Sequence, residues 1–301
     1  MDFILDCCTC IVKQAAQVAD IKNIEKDKAN KIMRRILQNL ANADYTKSTP
    51  QLMGEVWDIL EEELGMRDVY REIKYYYDNA VLEQKNRITE NIASHNNDYD
   101  RFTKALIFSI CGNLIDLAAT ASFDTQTFFN TAVNLAATPF AVNDTQLLYN
   151  ALKSCKELLY LGDNCGEIVT DKIFIQEIKR QFPQIHFTYA VRGFAVLNDV
   201  TMYDADTINM HEAATVISNG SKAAGTVLEE VDDKFKTIFN NADIIISKGQ
   251  GNYESLHPIE RENLFFLLMA KCPVIAKLFN VPPMSAICMK NTCGKKGSHE
   301  N

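Results

Sequence analysis

Glycines and polar side chains of the kinds that bind anions and metal ions cluster where several short apolar segments of this chain end. The clearest case is the apolar run Leu158–Leu161, after which two glycines enclose Asp163 and Asn164. A short apolar run that leads through a glycine into a helical pattern is typical of a buried strand opening a β-α-β unit. Ligands of open α/β sheets bind at the carboxyl ends of such strands, so this is the predicted active edge. The segments are Gly162-Asp163-Asn164-Cys165-Gly166-Glu167, Arg192-Gly193 with Asn198-Asp199, Ser218-Asn219-Gly220-Ser221 and Lys248-Gly249-Gln250-Gly251-Asn252.

These residue types together indicate a site for a metal ion and a phosphate. Parallel strands end at one edge of a sheet, so the segments are expected to converge although they are far apart in sequence. Asp163, Asn164 and Asp199 offer oxygen atoms, which are hard ligands suited to Mg²⁺ or Mn²⁺. Arg192 and Lys248 stand next to glycines, where a cation and backbone amides can grip a phosphate; the first amides of the following helix can also hold an anion. A hard metal beside an anion-binding loop is typical of enzymes that hydrolyse phosphate esters.

Each of these residues, taken alone, also has a purely structural interpretation. Asp163 could cap the helix that follows, Arg192 could form a surface ion pair, and Asn198-Asp199 could be turn residues. Glu167 lies in the first helical turn, where it could shuttle a proton or act beside the metal, or could only interact favourably with the helix N-terminus. The segment Lys248–Asn252 is harder to explain as a plain turn. The conjunction of all of them on one edge favours a functional site.

The elements that position these residues are predicted from a change in the apolar pattern near residue 150. Before it, apolar residues recur at helical spacing, and Ser48-Thr49-Pro50 and Gly65 mark the start and the end of one helix. After it, apolar strands alternate with helical segments, which predicts crossovers and a largely parallel sheet. We therefore expect a helical part over residues 1–150 and an α/β part over residues 151–301. The strands are predicted at Leu158–Leu161, Ile185–Val191, Ala214–Ile217, Ala242–Ser247 and, with a weaker pattern, Pro273–Ala276.

Composition limits the classes of function. The chain has 301 residues and a formal net charge of −8, which argues against a general nucleic-acid binder. No apolar run reaches the roughly 20 residues needed to span a bilayer, and the acidic start, Met1–Asp6, lacks the positive region of a signal peptide. Nine cysteines in a long chain do not indicate a secreted disulfide framework. We expect a cytoplasmic protein without a membrane or nucleic-acid partner, whose oligomeric state the sequence leaves open.

Cys7 and Cys10 form a Cys-x-x-Cys pair, a spacing that zinc sites and redox sites use. The pair alone cannot complete a tetrahedral zinc site, so Cys8 or Cys293 would have to join it. Thiols buried in the first helix are the favoured interpretation.

The strand-end segments, taken in order, resemble the damage-control phosphatase family, long known as domain of unknown function 89. Gly225-Thr226 extends the match at the third segment, and Cys7–Cys10 and Gly112-Asn113 with Asp116 fit the shorter microbial branch. The resemblance covers nearly the whole chain. It implies a helical N-terminal part followed by a Rossmann-like α/β/α part. It also implies a metal-dependent phosphatase acting on small phosphorylated metabolites, including sugar phosphates and damaged or side-product species.

Carried over residue by residue, the resemblance places the metal ligands on Asp163, Asn164 and Asp199, with Mg²⁺ or Mn²⁺ expected and Co²⁺ or Ni²⁺ admitted. It places the substrate-binding loop on Lys248–Asn252 and a further lysine on Lys271. We assign catalytic roles to Asp163, Glu167 and Lys248. The predicted substrate-binding residues are Arg192, Ser218, Asn219, Lys248, Gly249, Gln250, Gly251, Asn252 and Lys271, with Asn113 and Asp116 reaching in from the helical part or making only an interdomain contact.

Two departures from the family pattern affect these assignments. Ala195 stands where the family usually has a proline, and Lys222 stands where it often has an acidic residue after Ser221. Neither removes a proposed ligand, but Lys222 adds positive charge that could alter substrate preference.

Two other classes of function compete with a phosphatase. A dehydrogenase, or a methyltransferase using S-adenosylmethionine, would also place glycines after the first strand. However, the dinucleotide fingerprint needs a third glycine and an acidic residue at the end of the second strand, where this chain has Arg192. The third class is a non-catalytic metal- or metabolite-binding protein that uses the cysteine pair.

Overall fold

The computed structural model describes residues 5–112, 125–135 and 138–292. In the first half of the chain lie α1 (Leu5–Ile21), α2 (Lys26–Ala41), α3 (Thr49–Leu64), α4 (Arg71–Glu83), α5 (Lys85–Ala93), α6 (Asp98–Cys111) and α7 (Thr125–Leu135). The second half contains β1 (Val142–Asn143), α8 (Thr145–Leu152), β2 (Glu157–Leu161), α9 (Glu167–Gln181), β3 (His186–Val191), α10 (Met202–Thr207), β4 (Thr215–Ser218), α11 (Asp233–Asn241), β5 (Ile244–Lys248), α12 (Gly249–Leu256), β6 (Leu264–Ala270), α13 (Pro273–Leu278) and β7 (Ser285–Lys290).

One seven-stranded sheet has the order β1-β7-β6-β5-β2-β3-β4. Five neighbouring strands are parallel to one another: β6, β5, β2, β3 and β4. Strand β7 runs antiparallel to β6. The chain steps outward from β2 to β3 and β4, and then returns to place β5 on the other side of β2. The strand order therefore reverses between β2 and β5, which is where doubly wound sheets form their binding crevice. The predicted α/β class, with a helical N-terminal part and a largely parallel sheet, is confirmed.

Helices cover both faces of this sheet, which explains why its central strands are apolar throughout. In β2, Leu158 and Tyr160 belong to one buried core, and Leu159 and Leu161 belong to the core on the other face. The first core also takes residues from α4–α6, α8 and α9, and the second takes residues from α11–α13. Alternate side chains of a strand point to opposite faces of the sheet. A strand that is covered on both faces is therefore apolar at every position and does not alternate apolar with polar residues.

Several predicted elements are confirmed and one is wrong. Helix α3 begins after Ser48, has Pro50 in its first turn and ends at Gly65, which has a left-handed φ of 66°. The predicted strand Pro273–Ala276 is instead the start of α13, because proline suits the first helical turn, where its missing N–H is not needed. The strands on that side of the sheet are β6 and β7, which were not predicted, and the two-residue β1 was not predicted either.

Helices α1–α3 pack together around a third apolar core, and we call these helices the cap. The cap core also includes Val196 and Ala224, which lie in the loops after β3 and β4. The backbone N–H of Ala224 donates to the carbonyl of Pro50 at 3.1 Å. The cap is therefore attached to the same loops that were predicted to carry the site.

The rest of the helical part is packed against the sheet. Residues of α4–α6 share the core of one sheet face, and β1, which precedes residue 150, pairs with β7. The division into parts at about residue 150 stays a prediction. Across the ranges that the structure describes, no helix is both long and apolar enough to cross a membrane.

Candidate active site

The predicted active edge lies at the point where the strand order reverses. Asp163 follows β2, and Gly249 follows the neighbouring strand β5 with a left-handed φ of 78°. A Cβ atom added at Gly249 would lie 1.9 Å from Oδ2 of Asp163. A side chain at position 249 is therefore excluded both by backbone strain and by the aspartate that it would displace.

The loops after β2 and β3 are joined by backbone hydrogen bonds. Asn164 and Asp199 form an isolated antiparallel bridge, and the N–H of Cys165 donates to the carbonyl of Asn198 at 2.9 Å. The N–H of Val200 donates to the carbonyl of Asp163 at 2.8 Å. The three residues predicted as metal ligands, Asp163, Asn164 and Asp199, are thus brought together, and all three line one cavity.

Arg192 lies between the two carboxylates. Its Nε donates to Oδ2 of Asp199, and its Nη2 donates to Oδ1 of Asp163 at 3.3 Å. The third contact runs from Nη1 to Oδ1 of Asn252 at 2.9 Å. The arginine is 2% exposed, so this is a buried ion-pair network and the surface ion pair considered above is ruled out. Its predicted contact with a phosphate stays a prediction.

The two carboxylates are held in an environment that disfavours their negative charge. Burial, followed by the charge of Asp199, raises the pKa of Asp163 well above its usual range. Burial also raises the pKa of Asp199, although the positive charge of Arg192 opposes that shift. A divalent cation bound between the two carboxyl groups would favour their charged forms, because a nearby positive charge lowers the pKa of a carboxyl.

Glu167 and Lys248 form a second buried ion pair behind this edge. The ammonium of Lys248 donates to Oε1 of Glu167, to Oδ1 of Asp171 at 2.6 Å and to the carbonyl of Ser109 at 3.0 Å. An ammonium has three protons, so these acceptors engage all of them. Lys248 consequently faces carboxylates here, and its predicted role in binding phosphate stays a prediction.

One oxygen of Glu167 is held by Lys248, whereas Oε2 is buried and has no hydrogen-bond partner within the described ranges of the chain. Burial raises the pKa of Glu167 to about 7, and the charge of Lys248 opposes that shift. A carboxyl group with a pKa near neutrality can both accept and release a proton at physiological pH.

The residues at this edge fit a hard divalent cation. Within the described ranges, no three or more His, Cys, Asp or Glu side chains lie close enough to hold a metal ion together. The predicted set of two carboxylates and one amide does not need such a group, since Mg²⁺ usually keeps waters and binds through one or two carboxylates and substrate phosphate oxygens. The shared guanidinium between Asp163 and Asp199 marks a position where positive charge is required. The assignment of ligands stays a prediction.

The other predicted residues divide into those at the cavity and those that build its walls. Gln250, Gly251 and Lys271 line the cavity. Asn252 is buried behind it, accepting from Arg192 and Thr226 and donating to the carbonyls of Gly162 and Lys248. Asn219 accepts from the backbone N–H of Gly193 and Ser221 and so joins two loops, while Ser218 accepts from Gly220 in a turn.

Lys222 pairs with Asp58 at 2.7 Å and does not line the cavity. Asn113 and Asp116 lie outside the described residues.

Two site residues from α4 were not predicted, because nothing in their local sequence distinguishes them. Lys74 is fully buried and donates to the carbonyl of Asp199 at 3.2 Å, while pairing with Asp68 and Asp204. Asp78 accepts from the backbone N–H of Gly166 at the start of α9. An anion was expected at this helix N-terminus. One of the amides there, that of Gly166, is already occupied by a carboxyl group of the protein itself.

We expect the variant Asp78→Asn to be more stable than the wild type at high pH. Burial raises the pKa of Asp78 to about 8, and its Oδ2 has no hydrogen-bond partner in the part of the chain that the structure describes. In the unfolded chain this carboxyl ionises near pH 4, so the folded wild type binds more protons and loses stability as the pH rises from about 4 to about 8. An amide has no such dependence and still accepts from Gly166.

The measurement is the free energy of unfolding of both proteins between pH 5 and pH 9, with chelator present. The advantage of the variant should grow with pH and reach about 1–3 kcal/mol above pH 8. Parallel curves for the two proteins would show that Asp78 does not titrate in the folded state.

The cavity at the active edge has a volume of about 380 Å³ and lies between the cap and the sheet. Its walls are formed by Cys10, Gln14 and Gln17 of α1, by Thr49, Pro50 and Met53 of α3, and by Asp163, Asn164, Leu197, Asn198, Asp199, Ala224, Gln250, Gly251, Glu254, Lys271 and Cys272. The sheet side thus supplies all of the ionisable carboxylates and the lysine, and the cap side supplies uncharged groups.

The cysteines of the predicted pair occupy different positions in α1. Cys7 is buried, whereas Cys10 is exposed at the cavity wall, where Cys272 also lies. Partial desolvation by the surrounding protein, followed by the charge of Cys272, raises the pKa of Cys10. The interpretation of both as buried thiols therefore holds for Cys7 and is wrong for Cys10. Cys293 lies outside the described residues.

Comparison with known proteins shows relatives that match nearly the whole chain. A model of the damage-control phosphatase ARMT1-like domain matches residues 3–287. A damage-control phosphatase of Pyrococcus horikoshii is 29% identical over 287 residues, which cover 95% of this chain and 97% of that protein. A damage-control phosphatase of Archaeoglobus fulgidus is 28% identical over 274 residues, covering 90% of this chain and 93% of the relative. The crystal structure of a DUF89 family protein from Pyrococcus horikoshii aligns with a TM-score of 0.85 at 28% identity, over 97% of this chain and 100% of that one.

Proposed function

This chain belongs to the damage-control phosphatase ARMT1-like family, and on that basis we propose that it is a metal-dependent phosphatase that hydrolyses phosphate monoesters of small metabolites. The proposal includes sugar phosphates and damaged or side-product phosphate esters as substrates. The observation that carries it is the convergence of Asp163, Asn164 and Asp199 on one cavity, with Glu167 buried behind them.

In this proposal, Asp163, Asn164 and Asp199 would hold a divalent cation such as Mg²⁺ or Mn²⁺. When bound, such a cation polarises a phosphate oxygen and lowers the pKa of water. Glu167 takes up or releases the proton of the hydrolysis at Oε2, as its pKa of about 7 allows. The phosphate is bound beside Gln250, Gly251 and Lys271, which line the same cavity.

The test is a screen for released inorganic phosphate over a panel of phosphorylated metabolites. Each substrate is assayed with Mg²⁺, Mn²⁺, Co²⁺ or Ni²⁺ and with a chelator. We expect phosphate release that requires the metal. Binding of S-adenosylmethionine or a nicotinamide cofactor, with no phosphate released from any substrate, would favour the competing enzyme class.

The cap side of the cavity supports a neutral, hydroxyl-rich group as the part of the substrate beyond the phosphate. Gln14 and Gln17 are separated by nearly one turn on α1 and both line the cavity. Neither side chain makes a hydrogen bond in the described part of the chain. The hydroxyl of Thr49 is buried and has no partner either. Amides and hydroxyls can exchange hydrogen bonds with the hydroxyls of a sugar without meeting an unpaired charge.

We therefore expect the double variant Gln14→Leu/Gln17→Leu to raise KM for a sugar phosphate by about 10–100-fold while kcat changes little. Two lost hydrogen bonds of about 0.5–1.5 kcal/mol each account for this range. The control substrate is p-nitrophenyl phosphate, which has no sugar hydroxyls and should keep its KM. An equal rise in KM for both substrates would mean that the glutamines support the fold of the cap and do not bind the sugar hydroxyls.

A further inference from the structure

Asp171 occupies a buried position directly behind the candidate active site. It lies on α9, one helical turn after Glu167, and is fully buried. Its Oδ1 accepts from the hydroxyl of Tyr160 at 2.7 Å, from Ser109 at 3.0 Å and from the ammonium of Lys248 at 2.6 Å. Its Oδ2 accepts from the hydroxyl of Tyr189 at 2.9 Å. Four donors from four separate elements thus meet on one carboxylate.

The two tyrosines connect Asp171 to the strands that carry the site. Tyr160 is in β2 and Tyr189 is in β3, and their rings stack with centroids 5.4 Å apart. A Cβ added at Gly162 would lie 2.5 Å from the hydroxyl oxygen of Tyr189. The glycine that opens the Gly-Asp-Asn segment therefore leaves the space through which Tyr189 reaches Asp171. Burial raises the pKa of both phenols well above the usual value, so both remain donors.

Lys248 links Asp171 to Glu167. Burial alone would lower the pKa of Lys248, but the charges of Asp171 and Glu167 outweigh this effect and raise it, so the lysine stays charged. With one proton on Asp171 and one on Ser109, the ammonium is fixed in place before it contacts Glu167. That contact holds Oε1 of Glu167, while Oε2 is buried and has no hydrogen-bond partner among the residues that the structure describes. A buried polar atom without a partner needs an explanation, and a catalytic role is one such explanation.

We propose that Asp171 is a positioning residue for the hydrolysis and that it acts through Lys248 on Glu167. Asp171, with Tyr160, Tyr189 and Ser109, anchors the ammonium, and the ammonium orients Glu167 so that Oε2 can exchange a proton with the reacting groups. Lys248 is then a positioning residue as well, and it does not contact the phosphate. This inference rests on the proposed phosphatase function.

The kinetic test compares Asp171→Asn and Tyr189→Phe with Tyr99→Phe. Tyr99 also makes a hydroxyl hydrogen bond, in a partly buried position, to Thr145 at 2.9 Å. It does not touch the network, so it controls for the loss of a phenol hydrogen bond. We expect kcat to fall about 100-fold in Asp171→Asn and up to about 10-fold in Tyr189→Phe. KM should stay within about twofold in both, and Tyr99→Phe should keep the wild-type kcat.

Two kinetic results would overturn the proposal. A rise in KM without a fall in kcat would place the network at the phosphate, and a kcat of Tyr189→Phe equal to that of Tyr99→Phe would make the network merely structural. Tyr189→Phe keeps the ring and its packing, so it remains informative if Asp171→Asn does not fold.

A crystal structure of Asp171→Ala supplies a readout that does not depend on turnover. We expect the Lys248 ammonium and the Glu167 carboxylate to leave their wild-type positions, and unchanged positions of both would overturn the anchoring role. If the wild type releases no phosphate from any substrate, the proposed function fails. The crystal structure would still decide whether Asp171 positions Glu167.

Discussion

Replacing Asp163 or Asp199 by alanine is expected to abolish metal-dependent release of phosphate while leaving a folded protein. Each variant loses a buried carboxylate that the proposal assigns to the cation. Charge stabilisation by a metal ion is worth several kcal/mol, so kcat/KM should fall by at least about 10³-fold. The fold should survive because Arg192 keeps its other carboxylate partner in each variant, and because burial already disfavours the charge of both carboxylates by raising their pKa.

The measurements are steady-state kinetics with saturating metal, and calorimetric titration of the metal into each variant. The control is Asp58→Ala, which removes an aspartate that pairs with Lys222 at the surface. This control should keep the wild-type rate and metal affinity. Unchanged metal affinity in both site variants would remove Asp163 and Asp199 from the ligand set, whatever happened to the rate.

Replacing the buried Arg192 by methionine should strongly destabilise the metal-free protein. The guanidinium is the cation between Asp163 and Asp199, and it is buried with them. Removing one partner of a buried ion pair leaves an uncompensated charge, which typically costs about 3–5 kcal/mol. A divalent cation bound by the two carboxylates would supply the missing positive charge, so the loss should be smaller when metal is present.

Denaturant unfolding of wild type and Arg192→Met, each with chelator and with Mn²⁺, measures the loss of stability in the metal-free protein and its reduction by the metal. Arg35→Met is the matched control, because Arg35 pairs with Glu62 and Glu63 at the surface, where such pairs contribute little. The control should show little change in either condition. An equal loss of stability with and without Mn²⁺ in Arg192→Met would mean that the cation does not bind between these carboxylates.

The sequence predicted the active edge because the information for it is local. Each strand from β2 to β5 is a short apolar run followed by glycine and polar residues. Asp163 and Arg192 lie where β2 and β3 end, and Asp199 lies in the loop after β3. Parallel pairing of β2, β3 and β5 is enough to bring them together. The same reasoning could not find Lys74 or Asp78, because they lie on a helix whose position against the loops is set by tertiary packing.

Sequence reasoning also missed the strands beyond β5. β6 is a run of seven residues that is buried throughout, and such a run lacks the alternation that separates a strand from a buried helix. β7 runs antiparallel to it after a helix, a connection that the parallel pattern of the preceding strands does not predict. Asp171 did leave a signal: it stands three residues after Ile168 and four before Ile175, on the apolar face of α9, where an unpaired charge would be costly.

The composition of the cavity wall separates two tasks along the chain. The residues proposed to carry out hydrolysis lie beyond residue 160, whereas Gln14, Gln17 and Thr49 lie in the first 65 residues, in helices that have their own core. Substitutions at the cavity-facing positions of α1 and α3, outside the core that these helices share with Val196 and Ala224, can therefore accumulate without disturbing the reacting groups. Selection for a new metabolite would act on one short stretch of the gene, and exchanging the cap between relatives is a direct way to redesign which ester is cleaved.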